Sequence, residues 1–160
     1  MMCTLEPGCP HTLRGGIRPR TTLSPTIALK GGEPDVGIAF GTPGSDGQDQ
    51  WSLSFFLRHV HHGMAPQQAI DFPSFSSRHF PSSFGGGAVY PKVLNLEGRI
   101  PAASAEALRE RGHKINHDAG AGFSDGDGQG SVNAVGFRGG GAQVFGAANP
   151  RDAQGYCVGR

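Results

Sequence analysis

Apolar residues along this chain come in short runs broken by glycine and proline, and only three stretches shift to a helical period. Two of the runs, SPTIALK (Ser24 to Lys30) and DVGIAFG (Asp35 to Gly41), are separated by GGEP and read as two strands joined by a turn. Their apolarity is near-continuous rather than alternating, which predicts strands covered on both faces, as helices above and below a sheet would do. From Asp49 the spacing changes. Trp51 and Phe55, Phe56 and Val60, and Val60 and Met64 stand four apart, predicting an amphipathic helix that ends at Gly63. A second short helix opens with Pro66 in its first turn and stops before Pro73. The third, in SAEALRERG, takes Ser104 as N-cap, Glu106 and Arg109 as an i,i+3 pair, and Gly112 as terminator. KVLNLEG, SVNAVGF and AQVFGAA read as further strands, so the predicted order is β-β-α-α-β-α-β-β. That order points to the α+β class, with helices on a largely antiparallel sheet, rather than a doubly wound βαβ array. No internal repeat is present at any solenoid period.

The length of 160 residues suits one domain, 1–160, with residues 1–20 as an irregular lead-in. The 27 glycines and 12 prolines imply many loops around the regular runs. A formal net charge of +1 supplies no broad cationic field, so nucleic acid and anionic lipid are not expected partners. Cys3, Cys9 and Cys157 are odd in number and contain no C-x-x-C pair, which argues for reduced thiols over a zinc knuckle or a disulfide framework. The start lacks the apolar core of a secretory signal, and no stretch approaches the roughly 18 apolar residues of a membrane span. A soluble chain without a membrane span is expected, while the compartment of any longer parent stays open.

Four local motifs are candidates for chemistry. The loop AFGTPGSDGQDQW (Ala39 to Trp51) is rich in glycine, but no lysine follows a second glycine, and Asp46 and Asp49 would repel phosphate. It remains either a strand-to-helix turn or a set of backbone N–H groups for an oxyanion. His59 and His62 share a helix face without a third zinc ligand nearby in sequence, so no metal is expected there. DGDGQGSV places Asp125, Asp127, Gln129 and Gly130 at calcium-loop offsets, but Gly136 stands where the bidentate glutamate is needed. The serines near His79 lack a G-x-S-x-G elbow.

The joint occurrence of RPRTTLSPTIALK, AFGTPGSDGQDQW, HGMAPQQAIDFPSF, LEGRIP and GAANPRDAQGYCVGR, in that order, is more specific than any of them alone. Together they resemble the C-terminal part of the small subunit of the γ-glutamyltransferases, also called γ-glutamyltranspeptidases or glutathione hydrolases, from about Leu5 to Arg160. The resemblance implies an N-terminal nucleophile hydrolase fold, an αββα sandwich of which this chain is a portion. It implies a precursor that cleaves itself and exposes an N-terminal threonine, which attacks a γ-glutamyl amide such as that of glutathione. The γ-glutamyl group then passes from the acyl-enzyme to water, an amino acid or a peptide. By the same resemblance, Thr21 and Thr22 match adjacent hydroxyl residues that hold the substrate's α-carboxylate, and the N–H groups of Gly44 and Ser45 match a Gly-Gly oxyanion hole. Ser45 departs from that pattern, as does Ser74, where DFPSF replaces the more usual DAPRF. No cofactor is implied.

Nothing in residues 1–20 resembles the family's Thr-Thr-His-like start. The expectation is therefore that these 160 residues alone lack the nucleophile and are inactive without the N-terminal, large-subunit portion of the precursor. A cephalosporin or glutaryl acylase-like amidase of the same fold is the enzyme alternative, and a truncated, non-catalytic relic is the non-enzyme one. A partial sandwich should also expose apolar faces that its missing half would cover.

Overall fold

The computed structural model describes residues 4–32, 35–84, 86–117, 130–151 and 155–158. Two strands come first, β1 (Thr26–Leu29) and β2 (Gly37–Gly41), followed by helices α1 (Gln48–Val60) and α2 (Pro66–Asp71). Then come β3 (Phe75–Ser77), β4 (Val93–Leu96), α3 (Ala102–Glu110), β5 (Lys114–His117), β6 (Asn133–Arg138) and β7 (Gln143–Ala147). Residues 4–25 hold no helix or strand beyond a single bridge between Thr4 and Thr12.

Four strands form one antiparallel sheet in the order β1-β2-β6-β7. Its register sets Thr26, Phe40, Ala134 and Ala147 in one row and Ile27, Ala39, Val135 and Gly146 in the next. Because side chains alternate along a strand, these rows face opposite ways. Phe40, Ala134, Ala147 and Ile38 pack with Trp51, Phe55, Ala69 and Ile70 of α1 and α2 into the core. The Phe40 ring sits 5.0 Å from Phe55 and 6.1 Å from Phe56. The opposite face carries Ile27, Val135 and Val144, which are 77%, 60% and 67% exposed. The expectation of cover on both faces therefore holds for the helical side only. Within the described residues, no helix lies on the other side.

The second sheet, β3-β4-β5, is mixed. β3 runs antiparallel to β4, and β5 runs parallel to it after a crossover through α3. Neither β3 nor β5 was expected from sequence. β3 is three residues long, and β5 (KINH) shows only half-burial of alternate residues.

The helices start and stop close to their predicted limits, with two corrections. α1 ends at Val60, and Gly63 (φ 67°) turns the chain afterwards while Met64 N–H bonds back to Arg58 C=O. Val60 is 52% exposed, so the buried stripe is Gln48, Trp51, Ser52 and Phe55. α3 begins earlier than expected, with Pro101 at the cap and Ser104 inside the first turn, its N–H donating to Pro101 C=O. Pro101 fits because its fixed φ suits the start of a helix and it has no N–H to leave unpaired there. The Glu106–Arg109 pair forms at 3.0 Å, and Gly112 takes φ 91° just beyond the helix. No described helix is long and apolar enough to cross a membrane.

Candidate functional site

The loop after β2 carries the geometry of interest. Gly44 takes φ 111° and ψ 69°, which only glycine adopts at low cost, and Ser45 follows at φ 45°. A single 3-10 turn, Ser45–Gly47, then leads into α1. Ser45 thus occupies the left-handed region in spite of its Cβ, a conformation that costs on the order of 1 kcal/mol or more for a non-glycine residue. Among the described residues, neither the Gly44 nor the Ser45 N–H donates a hydrogen bond. Both residues are half-buried.

The indole of Trp51 supports this turn from beneath. A Cβ on Gly44 would stand 3.0 Å from the ring, one on Gly47 2.5 Å, and one on Gly130 2.5 Å, so three glycines let backbone close around one side chain. Trp51 is 4% exposed. On the far side, Asn149 Nδ2 donates to Gly130 C=O at 3.0 Å, and the Arg151 N–H donates to Asn149 Oδ1 at 2.7 Å. Thr42 Oγ1 accepts the Ser131 N–H at 2.8 Å, which joins the loop after β2 to the approach to β6.

Thr21 and Thr22 lie in the extended segment before β1. Thr21 is exposed and its hydroxyl accepts the Leu23 N–H at 3.1 Å, whereas Thr22 is half-buried. Gln48, the first residue of α1 and almost fully buried, donates from Nε2 to Thr22 Oγ1 at 3.1 Å. This bond brings Thr22 to the end of the turn that carries Gly44 and Ser45. Locally, nothing marks Gln48 beyond its place in GQDQW.

Behind α2 lies a charged cluster. Arg151 donates to Glu97 Oε2 from Nη2 at 2.8 Å, to Ile70 C=O at 2.8 Å and to Phe72 C=O at 2.9 Å. Arg58 reaches Pro73 C=O at 2.8 Å and Ala69 C=O at 3.3 Å. The two guanidinium groups thus take up carbonyls at the C-terminal end of α2, where the helix dipole also favours positive charge. Burial pushes the Glu97 carboxyl up. Hydrogen bonds from Arg151, the Ser74 N–H and Arg99 outweigh it and hold the group below its ordinary value. Burial, with the neighbouring Arg151 charge, lowers Arg58 from its ordinary value, partly offset by Glu97. Ser74, which stands where the more usual DAPRF has its arginine, is buried and gives its N–H to Glu97 at 2.9 Å.

The family model described as γ-glutamyltranspeptidase matches residues 2–158. The chain belongs to the γ-glutamyltranspeptidase family. It is 33% identical over 106 residues to the glutathione hydrolase-like YwrD proenzyme of Bacillus subtilis (strain 168), covering 66% of this chain and 18% of that protein. It is also 33% identical over 110 residues to the acylase ACY 1 proenzyme of Pseudomonas sp. (strain SE83), covering 69% of this chain and 17% of that protein. Among solved structures, LmbA2991HD superposes with a TM-score of 0.81 at 41% identity, over 99% of this chain and 27% of that one. The chain therefore spans about a fifth of the curated relatives it matches.

An acivicin-inhibited γ-glutamyltranspeptidase shares the fold at a TM-score of 0.69 and 21% identity. The fold of this γ-glutamyltranspeptidase-family chain is thus α+β, a portion of the N-terminal nucleophile hydrolase type of fold. It contributes one sheet, a helical layer on one face of that sheet, and the smaller mixed sheet. Of the remaining motifs, His59 Nδ1 lies 2.8 Å from Met64 C=O and its ring stacks on Phe55. His79 Nδ1 accepts the Lys92 N–H at 3.2 Å. Asp125, Asp127 and Gln129 lie outside the described residues, while Gly136 sits within β6.

Proposed function

We propose that residues 1–160 form the carboxylate-binding and oxyanion-stabilising part of an amide-cleaving enzyme acting on γ-glutamyl amides such as glutathione. The observation that carries this reading is the Gln48–Thr22 hydrogen bond, which couples the hydroxyl pair to the turn holding Gly44 and Ser45. The Thr21 and Thr22 hydroxyls donate to the substrate's α-carboxylate. The Gly44 and Ser45 N–H groups receive the carbonyl oxygen as it gains negative charge.

A threonine from the nucleophile-bearing portion, outside these residues, attacks the carbonyl carbon and gives up its proton to its own α-amine. The tetrahedral intermediate collapses, and the amine leaves with that proton. Water, an amino acid or a peptide then takes the γ-glutamyl group from the acyl-enzyme. By this reading a polypeptide of these 160 residues binds the amide without cleaving it.

A second reading is favoured by the equal identity to an acylase proenzyme and by the 32% identity over 113 residues to the oxamate amidohydrolase proenzyme of Klebsiella pneumoniae. In it the acyl half carries a carboxylate but no α-amino group. Titrating the 15N-labelled chain with a γ-glutamyl anilide and a glutaryl anilide tests both readings. Shifts at the Gly44 and Ser45 amides, weakened at least tenfold by T21A plus T22A, are expected. Tighter binding of the glutaryl compound favours the second reading, and unshifted amides overturn both. Release of aniline by the chain above the level of the double variant overturns the predicted inactivity.

A further inference from the structure

A cavity of about 520 Å³ opens beside the turn, and neither Thr21 nor Thr22 lines it. One wall is the turn itself, Ser45, Asp46 and Gly47; the other is the connection from β3 to β4, which contributes Phe80, Phe84 and Tyr90. The volume is in the range of pockets that enclose small organic ligands. All three rings are 42–49% exposed, an unusual concentration of accessible aromatic surface around one opening.

The two walls are fastened together. Asp46 Oδ2 accepts the N–H of buried Ser83 at 2.6 Å. Gln50 pairs with Ser77 at both ends of its side-chain amide, accepting the N–H at 2.8 Å and donating to the C=O at 3.0 Å. Within the second wall, the Arg78 guanidinium carbon lies 4.1 Å from the centre of the Tyr90 ring, which orients that ring. The cavity is therefore a built feature, continuous with the turn at Ser45.

We infer that this cavity is the subsite for the amine half of the amide, and that it selects amines bearing an aromatic ring. The inference rests on the proposed function and deepens it. An amide group is planar, so its acyl carbon and its nitrogen leave the carbonyl carbon in diverging directions. With the oxygen at the Gly44 and Ser45 N–H groups and the acyl chain running to Thr21 and Thr22, the nitrogen substituent diverges from those two threonines, which do not line the cavity. Ser45 is shared by the turn and the cavity, so that substituent reaches the cavity past Ser45. Aromatic walls stack on a ring and gain little from a methyl group.

Equilibrium dialysis of the chain with γ-glutamyl anilide and γ-glutamyl methylamide tests the inference. Neither is consumed if the nucleophile is absent. Binding of the anilide at least tenfold tighter is expected, with the ratio falling to about one in F84A, which removes an aromatic wall. The same fall is expected in A88W, which fills the opening at an exposed position. A ratio near one in the unaltered chain, or a ratio that survives both substitutions, overturns the subsite and leaves the proposed function standing. A ratio that collapses in F84A and A88W while T21A plus T22A changes neither affinity supports the subsite and overturns the carboxylate role. Binding of neither amide overturns both.

Discussion

The indole of Trp51 lies against Gly47 so closely that a Cβ on Gly47 would stand 2.5 Å from its ring. Gly47 itself has an ordinary helical φ of −86°, so alanine would be comfortable there as backbone and intolerable as volume. Gly47→Ala is expected to cost about 1–3 kcal/mol, the range of overpacking in a filled core. Gly63→Ala, with open space but φ 67°, is expected to cost about 1 kcal/mol through the backbone alone. Urea midpoints of the two variants, with Trp51 fluorescence moved only by the first, check the distinction.

Ser45 is held at φ 45°, and its side chain makes that conformation expensive. Ser45→Gly is expected to raise stability by up to about 1 kcal/mol, relief of left-handed strain being offset in part by the greater freedom of glycine in the unfolded chain. Ser45→Val is expected to lower it, because a β-branched residue resists positive φ further. Thermal melts of the three chains order them Gly, Ser, Val from most to least stable.

Glu97 sets an acid limit on the fold. Its carboxyl is held below the ordinary value near 4.5, so the charged form is favoured by folding. The resulting stability is complete above the unfolded value and is lost as pH falls through the lower folded value. Glu97→Gln removes that contribution and leaves Arg151, 8% exposed, without its carboxylate. A loss of about 3 kcal/mol at neutral pH is expected, together with a flatter decline of stability below pH 4.5. Urea titrations from neutral pH downward measure both.

The uncovered face of the four-stranded sheet predicts association. Ile27, Val135 and Val144 present one apolar surface across three of its strands. The chain on its own is expected to sediment as oligomers, and Val135→Lys, on a central strand, to shift it towards monomer. Monomeric sedimentation of the unaltered chain at tens of micromolar would contradict this.

The core face of α1 could be read from periodicity, because Trp51 and Phe55 announce their burial by spacing. β3 could not, since FSS is too short to show alternation. β5 could not either: Lys114 and Asn116 face outward, and its pairing with β4 depends on a crossover that no local pattern records. The near-continuous apolarity of β1 and β2 correctly signalled apolar residues on two faces, but periodicity does not say what covers each. At the site, the glycines around Trp51 were visible as letters, while the closeness that makes them necessary arises from Gly130, distant in sequence. The link from Gln48 to Thr22 joins two quoted motifs and required the fold to bring them together.

The pairing of Gly41 with Asn133 has a consequence for how such a site can diversify. The described residues between 42 and 132, all three helices, the mixed sheet and the cavity wall included, lie between the end of β2 and the start of its neighbour β6. Thr42 and Ser131 latch the two ends of that excursion. Closing a longer loop costs only slightly more entropy than closing a shorter one. Lengthening or trimming the β3–β4 connection would therefore reshape the wall of the cavity while the sheet keeps its register, so this stretch can vary without rebuilding the turn at Gly44 and Ser45.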